Sequence, residues 1–297
     1  MKPAPFGYFQ ATSVADALEL LDEHDGMARL LAGGQSLVPM LHMRIMAPAA
    51  VVDINAVPGL DRVEVEAEAD TTVIGALARY SQLETSSTVA DRLPLLRAMV
   101  KHVGDRQVRN RGTIGGSLAQ ADPTGEMPLA CLVLGAHVVV DSSAGSRVIE
   151  AGDLFETSYT TTLRPEEMIT SVRFPRAPEC FAFTERCRRH NDFAVLSVAA
   201  VGTPASGGWT DVRLALGGVA DRPVLVPEAA GLLCGTDLND DVIDQAARAC
   251  LGVIDPADDI RASAEYRTHL VPIEVRRTLR VLRDKGRDQE REKARNQ

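Results

Sequence analysis

The chain has 297 residues, 45% of them hydrophobic and 25% charged, with a formal net charge of −9. That length supports more than one core, and the composition is that of a folded globular protein. The acidic balance argues against a nucleic-acid partner, whose phosphates need a basic surface, but leaves room for a nucleotide held by backbone amides. No apolar run approaches the roughly 18 residues of a membrane span. The N-terminus, with Pro3, Pro5 and Phe6, lacks a signal-peptide apolar core, so the cytoplasm is the default compartment. Five cysteines, Cys131, Cys180, Cys187, Cys234 and Cys250, form no C-x-x-C pair, and the six histidines form no H-E-x-x-H. The chain reads as metal-free. Cys180 and Cys187 could face each other across strands, but reduced thiols suit a cytosolic chain better.

Residues 1–60 read as a small α/β unit. Ser13 followed by Asp16 resembles a capping box, and Val14, Ala17, Leu18 and Leu21 then share a helical face. Ala28–Leu31 is a short strand leading into Gly33-Gly34. A short helix follows through Leu37, Val38, Met40 and Leu41, and Val51, Val52 and Ile54 make another strand. Asp53 falls twenty residues after Gly33, as in a Rossmann unit, but no G-x-G-x-x-G or Walker A pattern accompanies it, so it reads as structural.

Residues 61–176 read as a second unit. Val63, Val65 and Ala67 alternate, turn at Ala69-Asp70 and resume through Val73 and Ile74. A helix is expected from about Ser81, and Asp91 reads as the cap of another that carries Leu95, Leu96 and Met99. Leu129–Leu134 suggests a buried helix; Val138–Val140, Val148-Ile149 and Ile169–Phe174 suggest strands. Pro175 and Pro178 mark a linker. The third unit, 177–283, opens with strands around Phe181–Phe183, Val195–Val201 and Val212–Leu216, turns at Gly217-Gly218, and continues in helices at 227–234, 242–251 and 264–282. Residues 284–297 are almost wholly charged or polar and are expected to be a disordered tail.

Three motifs carry chemistry. The central one runs from Arg111 through Gly112, Thr113, Ile114, Gly115, Gly116 and Ser117. Glycines allow close backbone approach, successive amides can bind phosphate oxygens, and Thr113 and Ser117 add hydroxyls. Glu126, nine residues past Ser117, is placed to accept from a ribose hydroxyl. Upstream, Ala32-Gly33-Gly34-Gln35-Ser36-Leu37 has the same character, so the two loops together suggest a clasp on one pyrophosphate. Arg106, Arg109 and Arg111 crowd the approach, as phosphate ligands, subunit contacts or solvated surface. The third motif is Arg188-Arg189-His190-Asn191-Asp192-Phe193-Ala194, a polar turn carrying an aromatic ring able to lie against a flavin.

In order and spacing these motifs resemble the FAD-binding medium subunit of molybdenum hydroxylases, a group that includes carbon monoxide dehydrogenases, xanthine dehydrogenases and bacterial N-heterocycle dehydrogenases. The resemblance covers nearly the whole chain, leaving only the tail. It implies an α+β protein with the PCMH-type FAD-binding fold: two α/β subdomains gripping FAD and a C-terminal α+β domain closing over it. By that likeness Ala32, Gly33, Gly34, Gln35, Ser36 and Leu37, with Thr113, Ile114, Gly115, Gly116 and Ser117, bind the pyrophosphate and adjoining groups. Glu126 occupies the place of an acidic FAD contact, and Ile169 matches a backbone contact to the adenine end. Phe193 borders the flavin ring, with Asp192 beside it.

The implied activity is electron relay. A large molybdopterin subunit hydroxylates the substrate, a small subunit passes electrons through two [2Fe-2S] clusters, and this chain's FAD gives them to an acceptor. The resemblance implies a heterotrimer, itself doubled, with no catalytic acid or base needed in this chain. Gln35 departs from the family's frequent His. Thr184 or Glu185 stands near where NAD-reducing relatives carry Lys, which favours a quinone or dye as acceptor over NAD. Two other readings of the sequence are a free-standing flavin oxidase or reductase and a flavin-free assembly subunit.

Overall fold

The computed structural model describes residues 1–295. The chain begins with β1 (Gly7–Gln10), α1 (Val14–Glu23), β2 (Ala28–Leu31), α2 (Leu37–His42) and β3 (Ala50–Asp53). The three strands form a parallel sheet in the order β1-β3-β2. Ser13 caps α1 by accepting from the Asp16 amide at 3.0 Å, and Asp16 in turn accepts from the Thr12 amide at 2.8 Å. The helix lays Ala17, Leu18 and Leu21 against Val52 and Ile54 to make a small core. β1 lies outside the sequence expectation, because Gly7, Tyr8, Phe9 and Gln10 form an edge strand with three exposed side chains and no clean alternation.

The second unit comprises β4 (Val63–Glu66), β5 (Thr71–Gly75), α3 (Tyr80–Thr85), α4 (Ser87–Arg92), α5 (Pro94–Val100), α6 (Arg106–Arg111), α7 (Ile114–Gln120), α8 (Glu126–Leu134), β6 (His137–Ser142), β7 (Gly145–Glu150), α9 (Ala151–Leu154), β8 (Phe155–Thr157), β9 (Thr160–Thr161) and β10 (Met168–Pro175). Its main sheet is antiparallel, ordered β4-β5-β10-β6-β7, with the helices over one face. Asp91 does not cap α5: it lies inside α4, whose cap is Ser86, and Pro94 begins α5. The ring of Pro94 disfavours a helical Leu93, which sits at φ −134°, so the two helices break there.

The last unit holds β11 (Cys180–Cys187), β12 (Ala194–Ala205), β13 (Gly208–Gly217), β14 (Val224–Leu225), α10 (Pro227–Leu233), α11 (Asp240–Ala249) and α12 (Ala264–Arg295). The four strands follow one another in an antiparallel sheet. β12 is buried from Ala194 to Gly202, because both faces are covered. Ala199, Val201 and Ala215 face the helices of the second unit, while Val198, Ala200, Leu214 and Leu216 face α10, α11 and α12. Cys180 and Cys187 are the two ends of one strand, not partners across strands, and neither is in a disulfide.

The charged segment from residue 284 is not the coil expected of it. It continues α12 through Arg295, while 296–297 lie outside the described residues. Arg, Lys, Glu and Gln are good helix formers, so an already nucleated helix extends through them at little cost. The extension is also fastened to the sheet. Lys285 Nζ donates to the Phe181 carbonyl at 3.0 Å and sits 3.8 Å from that ring's centroid. Gln289 Nε2 reaches the Glu179 carbonyl at 3.4 Å.

Candidate functional site

The two glycine loops meet face to face. β2 carries the chain into the first, and α6 delivers it into the second. A Cβ on Gly33 would press into the Arg111 carbonyl and stand 2.9 Å from the Gly112 Cα, so only glycine permits this apposition. Gly34 follows at φ +71°, in the left-handed region. On the other side, a Cβ on Gly116 would lie 3.9 Å from the Cβ of Ala32.

Two residues absent from the sequence expectation hold the loops together. Asn55 Nδ2 donates to the Ala32 carbonyl at 2.9 Å and the Leu31 carbonyl at 3.3 Å. Arg79 Nη2 donates to Asn55 Oδ1 at 2.5 Å, and Arg79 Nη1 donates to the Arg111 carbonyl. Arg79 also forms an isolated bridge with Thr113. Neither residue lies in a glycine motif, and each is an ordinary polar side chain in sequence, so only the folded backbone shows their role. Asp53 proves structural, as expected of it. It accepts from Tyr8 Oη at 2.7 Å and the Asn55 amide at 2.9 Å. Burial opposes its ionisation, but the Asn55 amide, Tyr8 and nearby Arg111 together hold it below its ordinary value.

The loops are not equivalent as anion cradles. Among the described residues, no protein group accepts from the amides of Gly33, Gly34, Gln35, Ser36 or Leu37. Gln35 Nε2 turns back to the Gly33 carbonyl at 3.1 Å, and the Ser36 hydroxyl makes no cap contact. In the second loop the amides are already engaged. Ile114 donates to Ala78 at 3.2 Å, Gly115 to Ala76 at 2.9 Å, and Ser117 to the Thr113 carbonyl at 3.1 Å. Gly116 donates to Thr113 Oγ1 at 3.2 Å, a long cap. The expectation that both loops offer successive free amides is therefore corrected. The first loop offers them; the second begins α7 and offers hydroxyls. Gly115 is glycine for packing, since a Cβ there would stand 2.6 Å from the Cβ of Ala76.

Ser117 is met by the buried Tyr80 hydroxyl, whose phenol is pushed up by burial. Glu126, half-buried in the first turn of α8, accepts from its own backbone amide, and no side chain donates to its carboxyl among the described residues. Its pKa is pushed up to about 8, chiefly by burial, with Glu185 and Asp122 adding like charge. A carboxyl with no side-chain donor beside the loops has capacity left for a ligand hydroxyl. Together with the bare amides of 33–37 and the glycine-lined approach, it gives a donor and acceptor set that fits a dinucleotide flavin.

Ile169 points its side chain into the main core, at a bulge in β10 between Ile169 and Ser171, so only its backbone is available to a ligand. The Arg147 guanidinium fixes the preceding turn by gripping Glu167 at 2.6 and 2.8 Å. Of the three approach arginines, Arg109 is structural: it donates to Glu84 at 3.1 Å and the Gly104 carbonyl at 3.0 Å.

The turn between β11 and β12 carries the third motif. Asp192 Oδ1 accepts from the Phe193 amide at 2.9 Å, and Asn191 adopts φ +60°. Phe193 is 54% exposed, with the Arg261 guanidinium 4.7 Å from its ring centroid. The field of Asp192 reaches Cys187, which feels Glu185 and Glu126 more strongly, so this turn lies on the side of the C-terminal sheet towards Glu126.

Residues 4–177 match the family described as "FAD binding domain in molybdopterin dehydrogenase", and residues 181–282 match the "CO dehydrogenase flavoprotein C-terminal domain". The chain is 39% identical over 279 residues to the nicotine 6-hydroxylase medium subunit of Paenarthrobacter nicotinovorans, covering 94% of this chain and 98% of that one. It is 34% identical to the carbon monoxide dehydrogenase medium chain of Afipia carboxidovorans, covering 94% and 97%. Among solved structures, quinoline 2-oxidoreductase from Pseudomonas putida 86 superposes with a TM-score of 0.91 at 33% identity, covering 96% of this chain and 99% of that one. A Cu,Mo-CO dehydrogenase superposes with a TM-score of 0.92 at 32% identity, covering 96% and 99%. The likeness extends through both FAD-binding subdomains and the C-terminal α+β domain, and the chain belongs to the FAD-binding medium subunits of the molybdenum hydroxylases, the flavoprotein component of molybdenum-containing dehydrogenases.

Proposed function

We propose that this chain is the electron-transfer flavoprotein of a heterotrimeric molybdenum hydroxylase, assembled with a large molybdopterin subunit and a small [2Fe-2S] subunit, the trimer being doubled. The observation that carries it is the pair of apposed loops, with the free amides of Gly33–Leu37 opposite the hydroxyls of Thr113 and Ser117. Relatives named as medium subunits of such dehydrogenases support it.

FAD, when bound, supplies the reversible acceptance of electrons that protein side chains lack. The protein's share is position and field. The amides of Gly33, Gly34, Gln35, Ser36 and Leu37 hold the pyrophosphate. Thr113 and Ser117 hold adjoining groups, with Ile114, Gly115 and Gly116 shaping the wall. Glu126 accepts from a ribose hydroxyl, and the backbone at Ile169 contacts the adenine end. Phe193 covers one face of the flavin ring, with Arg261 behind it. Asp192 adds negative charge nearby, which disfavours an anionic reduced ring and lowers its potential. Glu185, rather than a Lys, stands in β11 ahead of this turn with its side chain 2% exposed. The acceptor that suits such a site is a quinone or dye rather than NAD.

The test is purification of the tagged chain from cells that make its neighbouring subunits, followed by assay of flavin, iron and molybdenum. Co-purification of all three, with substrate-driven bleaching of the flavin, is expected. A colourless preparation, or an isolated chain that turns over an organic substrate at the rate of a complex, overturns the reading. Rapid NAD reduction by the assembled enzyme overturns the acceptor alone.

A further inference from the structure

The turn that carries Phe193 is weakly tied to itself. Between Arg188 and Phe193, among the described residues, one backbone bond closes it, from the Asp192 amide to the Arg189 carbonyl at 3.4 Å. The Asp192 carboxylate adds a contact to the Phe193 amide at 2.9 Å. Phe193 is 54% exposed, and a ring that open on so loose a turn would sample several rotamers. Whatever fixes its direction lies outside the turn.

The segment 255–263, between α11 and α12, and the first turn of α12 reach it at three points. At the entry, Arg188 Nη1 donates to the Ile260 carbonyl at 2.9 Å. At the tip, the Arg261 guanidinium stands 4.7 Å from the Phe193 ring centroid. At the exit, Arg267 Nη1 donates to the Val195 carbonyl at 2.6 Å, two residues past the ring. Unlike the turn, this segment is closely bonded. Asp259 Oδ1 accepts from the Arg261 amide at 2.8 Å, the Ala262 amide at 2.9 Å and Arg267 Nη2 at 2.8 Å. Asp259 Oδ2 accepts from Arg261 Nη1 at 3.4 Å. The Asp255 amide donates to the Val219 carbonyl at 2.9 Å, and the Ala264 amide to Asp258 at 2.6 Å. One carboxylate therefore ties the guanidinium over the ring to the buried guanidinium that holds the strand after it. An arginine stacked by chance keeps a free head group; this one is held from behind, and its side chain is only 25% exposed.

We propose that Arg261 is a positioning residue: segment 255–263 straps the β11–β12 turn, and Arg261 turns the Phe193 ring so that its uncovered face is the one left for the flavin. The inference deepens the flavin reading above and rests on it. The guanidinium takes one face of the ring, as cations do over aromatic faces, and leaves the opposite face open. No bond forms or breaks in this role. What depends on Arg261 is the environment of the flavin ring and not the retention of FAD, which falls to the amides of Gly33–Leu37.

The test follows the ring first without FAD and then with it. The full chain is made with para-fluorophenylalanine in place of phenylalanine, and the Phe193 fluorine signal is identified by its loss in Phe193→Leu. In the FAD-free wild type this signal is expected away from the position of the free amino acid. Arg261→Gln is expected to move it to that position, and Arg261→Lys, which keeps a cation over the ring, to hold it in place. The bonds of Asp259 to the Arg261 and Ala262 amides and to Arg267 survive both substitutions, so the fold is kept. In the unlabelled chain loaded with FAD, Arg261→Gln is expected to shift the flavin absorbance bands in the direction that Phe193→Ala shifts them, at full flavin content, while Arg261→Lys stays close to wild type. A fluorine signal unmoved in Arg261→Gln overturns the strap alone. A signal that moves while the flavin bands stay unchanged overturns the positioning role. A wild-type chain that takes up no FAD overturns the functional reading and this inference with it.

Discussion

Arg79 donates to Asn55 Oδ1 at 2.5 Å, which links the second subdomain to the residue that holds the carbonyls of the first glycine loop. Arg79 also donates to the Arg111 carbonyl on the opposite loop. One guanidinium thus sets the spacing of both loops through its rigid fork. Arg79→Met is expected to weaken FAD binding by about tenfold, or about 1.4 kcal/mol, while the FAD-free chain remains folded. Fluorescence titration with FAD measures it; an unchanged dissociation constant would show that the loops hold their spacing without the clasp.

Glu126 gives the FAD-free chain a distinct pH dependence. Its folded pKa is pushed up to about 8 by burial and like charge. A carboxyl raised in the folded state contributes stability that is fully present below its unfolded value near 4.5 and lost as pH rises through about 8. Glu126→Gln removes that loss, so the variant is expected to be more stable than the wild type at pH 9 by about 2–4 kcal/mol. At pH 4 the difference should vanish. Thermal melts of the FAD-free chain across this range decide it, and parallel curves for the two proteins would contradict the assignment.

Phe193→Ala is expected to alter the shape of the flavin absorbance bands and the rates with dyes, at full FAD content. It leaves the Arg261 guanidinium without the ring it stands over. Substrate-driven reduction of the iron–sulfur clusters in the assembled enzyme should stay near wild type. A spectrum superimposable on the wild type would remove Phe193 from the flavin face.

Arg267 anchors the loop that carries Arg261. Its Nη1 donates to the Val195 carbonyl at 2.6 Å and the Gly218 carbonyl at 2.7 Å, and its Nη2 pairs with Asp259 at 2.8 Å. Burial opposes ionisation of Asp259, but the Ala262 and Arg261 amides and Arg267 bring it down to about 2. Arg267→Met is expected to destabilise the protein by about 2–4 kcal/mol at neutral pH. A depressed carboxylate stabilises above its unfolded value and loses that contribution as pH falls through its folded one. The penalty should therefore shrink as pH falls towards about 2. Equilibrium urea unfolding at several pH values reads this directly.

Much of the site is legible in sequence because it is local. Gly33-Gly34 after a strand and Thr113 ahead of Gly115-Gly116 each announce a turn by composition, and the apolar run at Leu129–Leu134 announces a buried helix. What sequence conceals is non-local. Arg79 and Asn55 stand 24 residues apart and become partners only when two sheets dock. The amides of Ile114 and Gly115 look free in a glycine-rich run, yet Ala76 and Ala78 occupy them. The polar end of α12 misleads in the other direction. Without apolar spacing it reads as coil, although its attachments at Phe181 and Glu179 come through a lysine and a glutamine.

The burial of α8 on every side bears on how the protein is made. Met127 through Leu134 are enclosed, partly by the inner face of the C-terminal sheet at Ala199, Val201 and Ala215. That sheet is in turn closed by α12, which is made after every other element of the two cores. A nascent chain halted at the 176–179 linker would present a naked apolar helix whose first residue is Glu126. The apolar helix that carries Glu126 is therefore fully enclosed only after α12 has been made.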